Sequence, residues 1–233
     1  MSGILYGIGV GPGDPDLLTL KAARLIASAD LIAYPVNPSG DSLARRIAAG
    51  VIPEGAAEYG FSVPMTVERA PAKSAYDVAA ARLAEHLSGG QRVALLCEGD
   101  PFFYGSFMYL FARLAHMHQV EVVPGVSSLT ASAAMLGRPL AARDDTLKVL
   151  PATLDGETLR RELQSVHAAA IIKVGRHFEK VRGILDDLGL SDTAMIVESA
   201  TLPEQKVTPV CDVAPGARPY FSTILIYQGG EAW

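Results

Sequence analysis

The sequence predicts an α/β protein of two α/β domains, residues 1–138 and 139–233, with a mostly parallel N-terminal sheet, a mixed C-terminal sheet and a ligand cleft between them. Three observations carry this. Strand-like and helix-like segments alternate through the first half, and the strand candidates are near-continuous apolar runs such as "RVALLC", the pattern of strands covered on both faces. The segment "GRPLAARDDT", residues 137–146, is polar and proline-bearing between two apolar regions, which places a boundary there.

The elements follow in order. "ILYGIGV" reads as a strand and "PDLLTLKAARLIASAD" as a helix, because Leu18, Ala22, Leu25, Ile26 and Ala29 share one face. Then come the run "DLIAYP", a helix over "DSLARRIAAG", an extended "AEYGFSVP", a helix over "SAYDVAAARLAEHL" closed by Gly89-Gly90, and "RVALLC". A helix over "YGSFMYLFARLA", a strand "VEVVPG" and a helix "SSLTASAAMLG" complete the first half. Beyond the boundary, "LKVLPATL", "AAIIKVG", "TAMIVES", "QKVTPV" and "FSTILIYQ" read as strands, the last two as an antiparallel pair. Helices fall on "GETLRRELQSV" and "RHFEKVRGILDDLG".

Composition narrows the function. The 233 residues carry 20 Lys plus Arg against 25 Asp plus Glu, a net charge of −5, so no broad positive field draws nucleic acid or a membrane surface. No apolar run approaches the ~20 residues of a spanning helix, and the N-terminus lacks a charged leader, so the expectation is a cytoplasmic protein. Cys97 and Cys211 have neither metal-type nor redox-type spacing, and no metal is expected.

The loop "GIGVGPGDPD" sits where a dinucleotide fingerprint would begin, but its third glycine position falls on Pro12, or on Asp14 if counted from Gly9. No lysine follows to make a phosphate loop, and Asp14 and Asp16 repel a pyrophosphate. The loop suits a neutral or cationic ligand; equally, its glycines serve only a tight turn and Asp14 or Asp16 a helix cap. "EGDP", "PGVSS" and "KVGRH" repeat the design after three further strands. Ligands of parallel sheets bind at such strand ends. Ser127 and Ser128 fit either ligand contact or N-capping of the following helix.

On "GVGPGDPDLLTLKA", "EGDPFFYG", "VVPGVSS" and "LPEQKV", in that order over nearly the whole chain, the sequence resembles the tetrapyrrole (corrin/porphyrin) methyltransferase family. "EGDPFFYGSFMYL", "VGRHFEKVRGIL" and "ATLPEQKV" most resemble its members that methylate C20 of precorrin-2 to give precorrin-3A in cobalamin biosynthesis. The resemblance implies S-adenosylmethionine as methyl donor, S-adenosylhomocysteine as product, a small tetrapyrrole as substrate, and a homodimer. Carried over by motif, it implies cofactor contacts at Pro12, Glu98, Gly99, Asp100, Phe103, Ser127, Ser128, Val174 and Ala200. Glu98 stands where many members carry a small residue, and Lys173-Val174 replaces a more usual aromatic-methionine pair.

Methyl transfer from a sulfonium needs neither acid nor metal, so alignment is what the protein supplies. Glu98, Tyr104 and His177 are the candidates for a base that removes a proton afterwards. The implied substrate carries several carboxylates, for which Arg138, Arg143, Lys173 and Arg176 are candidate partners; each also fits a solvated surface charge. Phe102, Phe103, Tyr104, Phe107 and Tyr109 either flank a flat ring or belong to the core. Asp100 is expected to add negative charge or accept hydrogen bonds at the cofactor.

Overall fold

A computed structural model describes residues 3–64 and 69–228. The chain divides into two compact units, residues up to Ser127 and residues from Ser128.

In the first unit, β1 (Ile4–Gly9), β2 (Leu31–Val36), β3 (Glu58–Ser62), β4 (Arg92–Cys97) and β5 (Gln119–Val123) form one sheet in the order β3-β2-β4-β1-β5, with every pairing parallel. Between them lie α1 (Leu20–Ala27), α2 (Leu43–Ile47), α3 (Arg69–Ser88) and α4 (Phe107–Leu114). One face of the sheet, with Leu5, Ala33, Val93 and Leu95, is covered by Ala79, Leu83 and Leu87 of α3 and by Phe107, Leu110 and Leu114 of α4. The alternate residues Ile8, Ile32, Ala94 and Leu96 are buried too, as are Ala22 and Ile26 of α1 and Ala44 and Ile47 of α2. Burial of both faces is why these strands read as unbroken apolar runs.

The segment read as one helix over residues 15–30 is two elements. Pro15–Leu17 forms a 3-10 turn, held by Asp14, which accepts the Asp16 N–H at 2.9 Å. Leu18 is then extended, and α1 starts only after Thr19, whose hydroxyl oxygen accepts the Ala22 N–H at 3.1 Å. The helix cap is thus Thr19 rather than Asp14 or Asp16.

In the second unit, β6 (Leu147–Pro151), β7 (Ala168–Ile172), β8 (Ala194–Glu198), β9 (Lys206–Pro209) and β10 (Ser222–Tyr227) make a mixed sheet in the order β6-β7-β10-β8-β9. Its helices are α5 (Ser128–Leu136), α6 (Gly156–Leu163) and α7 (Phe178–Asp187). Ala169, Ile171, Ile224 and Ile226 face Leu159, Leu163, Val181 and Leu185 of α6 and α7, while Ala170 and Leu225 face Leu129 and Ala133 of α5. That second face moves the division of the chain ahead of the boundary expected at 138/139: α5 buries its apolar side against the second sheet and belongs to it.

A second correction concerns pairing. β9 pairs antiparallel with β8, not with β10, and β10 is taken up on both sides by β7 and β8. Ser222, Thr223, Ile224, Leu225 and Ile226 are all buried, so β10 is an interior strand.

Candidate cofactor site at the strand ends

In the first sheet β1 lies between β4 and β5, and the chain leaves β1 toward β2 but leaves β4 toward β5. Neighbouring strands whose connections depart in opposite directions open a crevice at their carboxyl ends. Here the turns after β1, β4 and β5 are fastened together by backbone. Gly11 N–H donates to the Gly99 carbonyl at 3.3 Å, and Gly99 N–H returns to the Gly11 carbonyl at 2.8 Å. Both glycines are left-handed, with φ of +83° and +64°, a conformation that costs other residues. A Cβ on Gly125 would stand 2.1 Å from the Gly99 carbonyl oxygen, and one on Gly9 2.6 Å from the same atom. Three glycines from three turns therefore meet at van der Waals distance.

Asp100 completes the joint. One carboxylate oxygen accepts the N–H groups of Phe102 and Phe103 at 2.9 and 3.1 Å, and the other accepts the Gly125 N–H at 3.2 Å. The carboxylate anticipated as a charge for the cofactor thus shapes the turns themselves. Glu98 also has an internal partner: its partly buried carboxyl takes the N–H of Ala44 in α2, and burial pushes its pKa above the ordinary carboxylate value. Burial, with Glu98 and Asp100 nearby, also pushes the Cys97 thiol well up, so it packs as an inert small hydrophobe.

Among the remaining sequence-derived residues of this unit, Pro12 and Gly13 are buried and Ser127 is partly buried just ahead of α5. Phe102, Phe103 and Tyr104 are exposed, and Tyr104 is left-handed at φ +55°. Phe107 is buried with its ring against Gly7, where a Cβ would come within 2.2 Å of it. The cluster thus splits after Gly105: the first three aromatics are presented at the surface and Phe107 anchors α4. Tyr109 joins neither set; it is exposed and lies 5.0 Å from the Tyr76 ring.

In the second unit, Ser128 opens α5 and is partly buried. The turns after β7 and β8 carry Val174 and Ala200, both buried. These turns are strained: Lys173, Ser199 and Thr201 have φ of +57°, +50° and +67° without being glycine, and such strain gathers at functional positions. Lys173 and Arg176 are exposed. His177 accepts from Arg176 Nε at 3.5 Å; burial, Lys180 and Arg176 lower its pKa. Arg143 is exposed in the loop before β6. Arg138 is committed elsewhere, donating to the carbonyls of Tyr227 at 3.0 Å and Thr193 at 3.5 Å, which makes it a structural cation rather than a free carboxylate clamp. Sequence reasoning missed Glu198 and Arg218, which pair at 3.1 Å. Nothing local signals Arg218, since its partner is twenty residues back in another element.

The strand ends of the first sheet, built from glycine and carboxylate with no Lys or Arg in residues 9–14, 98–101 or 124–128, define an α/β protein whose candidate site in that unit offers backbone rather than basic side chains. The Tetrapyrrole (Corrin/Porphyrin) Methylases match residues 4–213, and the chain belongs to that family. Precorrin-2 C(20)-methyltransferase of Sinorhizobium sp is 37% identical over 238 residues, spanning 97% of each chain. Cobalt-precorrin-2 C(20)-methyltransferase of Salmonella typhimurium is 32% identical, spanning 99% of each. Cobalamin biosynthesis protein CobIJ of Mycobacterium tuberculosis is 42% identical over 235 residues, covering 97% of this chain and 46% of that protein, so the chain spans about half the length of that relative. Among solved structures, a cobalt precorrin-4 methyltransferase superposes with a TM-score of 0.76 at 26% identity, over 96% of this chain and 94% of that one. A uroporphyrin-III C-methyl transferase of Thermus thermophilus, complexed with S-adenyl homocysteine, gives 0.71 at 27% identity, over 97% and 92%.

Proposed function

We propose that the protein is an S-adenosylmethionine-dependent methyltransferase that methylates C20 of precorrin-2 to give precorrin-3A. The single observation that carries the reading is the joint of Gly11, Gly99, Asp100 and Gly125, a strand-end site of backbone groups and carboxylates without a basic side chain. Such a donor set repels a pyrophosphate and accommodates a sulfonium cation, so the residues present fit the methyl donor.

When bound, the donor supplies a methyl group on positively charged sulfur, which needs no acid to leave. What the chain does is hold and shield. Pro12, Gly99, Phe103 and Ser127, with Ser128, Val174 and Ala200, are proposed to bind the cofactor. Asp100 acts on it through the shape of the two turns that it joins, and Glu98 through α2 and the local negative charge. The exposed Phe102, Phe103 and Tyr104 offer faces for a flat ring. Arg143, Lys173 and Arg176 are the cations proposed for substrate carboxylates. Glu98, Tyr104 and His177 stay candidates for the base, with His177 favoured in its neutral, proton-accepting form by its lowered pKa.

We further propose that the chain works in the cytoplasm as a homodimer. No helix among the described residues is long and apolar enough to cross a membrane. The metal-free substrate is preferred because the relative named for it is more similar than the one named for the cobalt-bearing substrate, at 37% against 32%. Parallel assays with precorrin-2 and cobalt-precorrin-2 test that preference: faster turnover of the cobalt form would reverse it.

A further inference from the structure

β10 runs antiparallel between β7 and β8, so the chain enters β10 at the edge where both neighbours leave. The entering segment, residues 218–221, is bonded to both departing turns. Arg218 N–H donates to the Gly175 carbonyl at 3.1 Å, and the Ser199 N–H donates to the Phe221 carbonyl at 2.7 Å. These are the turns with left-handed Lys173, Ser199 and Thr201, conformations that persist only where the surroundings over-determine them.

The Arg218 side chain supplies such a restraint. Its Nε lies 3.1 Å from Oε1 of Glu198, the buried last residue of β8 and the one just before Ser199. Its guanidinium carbon lies 5.7 Å from the ring centre of Phe178, a buried residue at the start of α7, just after the other turn. Arg218 Nε and Glu198 Oε1 are both buried, and neither has a hydrogen bond beyond their mutual attraction, while the outer guanidinium is partly exposed and reaches the Ala214 carbonyl at 3.5 Å through Nη1. A buried pair of that kind is poor evidence of a stabilising role; fixing one arrangement among several is its best-attested use.

We infer that Arg218 is a positioning residue: through Glu198 and Phe178 it locks the turns that carry Val174 and Ala200 into the shape that receives S-adenosylmethionine. The inference rests on the proposed assignment of those two residues to the cofactor. It extends the binding machinery to a side chain that touches neither reactant.

Calorimetry with S-adenosylhomocysteine tests it, beginning with the unaltered protein. Absence of binding there overturns the methyltransferase reading, and the inference with it. With binding established, Arg218→Gln should raise the Kd by about tenfold, ~1.4 kcal/mol. In the methylation assay the KM for S-adenosylmethionine should rise in step while kcat at saturation holds, and Arg218→Lys, which keeps the charge, should recover most of the loss. A purely structural role would lower the folded fraction and leave the Kd of the folded protein unchanged; that result overturns the inference alone. Should neither variant fold, hydrogen exchange on the unaltered protein decides: S-adenosylhomocysteine should slow the Ser199 and Arg218 amides together, and unchanged exchange at both refutes the lock.

Discussion

Asp100 accepts the Gly125 N–H at 3.2 Å and so ties the turn after β4 to the turn after β5 across the intervening β1. The same carboxylate holds the Phe102 and Phe103 amides, and hydrogen bonds to a charged acceptor are the stronger kind. Asp100→Ala should therefore cost about 2 kcal/mol in urea unfolding and weaken S-adenosylhomocysteine at least about tenfold. Asp100→Asn keeps one acceptor oxygen and should fall between. Undiminished affinity in Asp100→Ala would show that the joint is not needed at the cofactor.

The glycine contact predicts opposite outcomes at two sites. Gly125→Ala drives a methyl against the Gly99 carbonyl, a backbone atom that cannot swing away, and should destabilise by about 3 kcal/mol or more. Gly183 lies in the exposed interior of α7 with nothing within 4 Å of an added Cβ, so Gly183→Ala should stabilise by about 1 kcal/mol with activity unchanged. Thermal unfolding of both variants checks the pair.

Glu98 gives a pH dependence of definite sign. Its pKa is raised on folding, so between the ordinary carboxylate value of 4.5 and its own higher value the native state holds more protons than the unfolded chain. Stability from this group is therefore greatest at low pH and declines as pH rises through that window. Glu98→Gln should remove the decline, making the variant gain on the parent protein above pH 4.5 and level off beyond the pKa of Glu98. Denaturant titrations at a series of pH values measure this; parallel curves for the two proteins would contradict it.

His177 works in the opposite sense. Its pKa is lowered, so as pH falls below 6.5 the unfolded chain takes up a proton before the native state does, and stability declines until the lowered value is reached. His177→Phe should flatten that limb. An NMR titration of the ring in the native protein should give a midpoint below 6.5; one above it would show that burial, with Lys180 and Arg176, does not govern the site.

Much of this was legible in the sequence because burial on both sides of a sheet leaves a plain mark: residues 93–97 of "RVALLC" and 169–172 of "AAIIKV" are apolar without a break, and each run leads into a turn. The family motifs were legible because their glycines are required locally: a Cβ on Gly125 would strike the Gly99 carbonyl, and Gly99 is left-handed. Less visible were features set by distant partners. That β10 lies between β7 and β8 depends on pairing across the unit, which the run "FSTILIYQ" does not encode beyond its apolarity. α5 read as part of the first domain because its spacing shows an apolar side without saying which sheet covers it. Asp100 and Arg138 read as ligand-facing charges, whereas their partners are the backbone of Gly125 and of Tyr227, neither of which a motif displays.

The central claim is methyl transfer to one carbon of a reduced tetrapyrrole. Incubation with precorrin-2 and S-adenosylmethionine labelled with carbon-13 in its methyl group, followed by carbon NMR of the product, tests it most directly. A single labelled methyl on C20, its appearance matched by S-adenosylhomocysteine, is the predicted result. Label on another ring carbon, or none in the product while the cofactor binds, would contradict it.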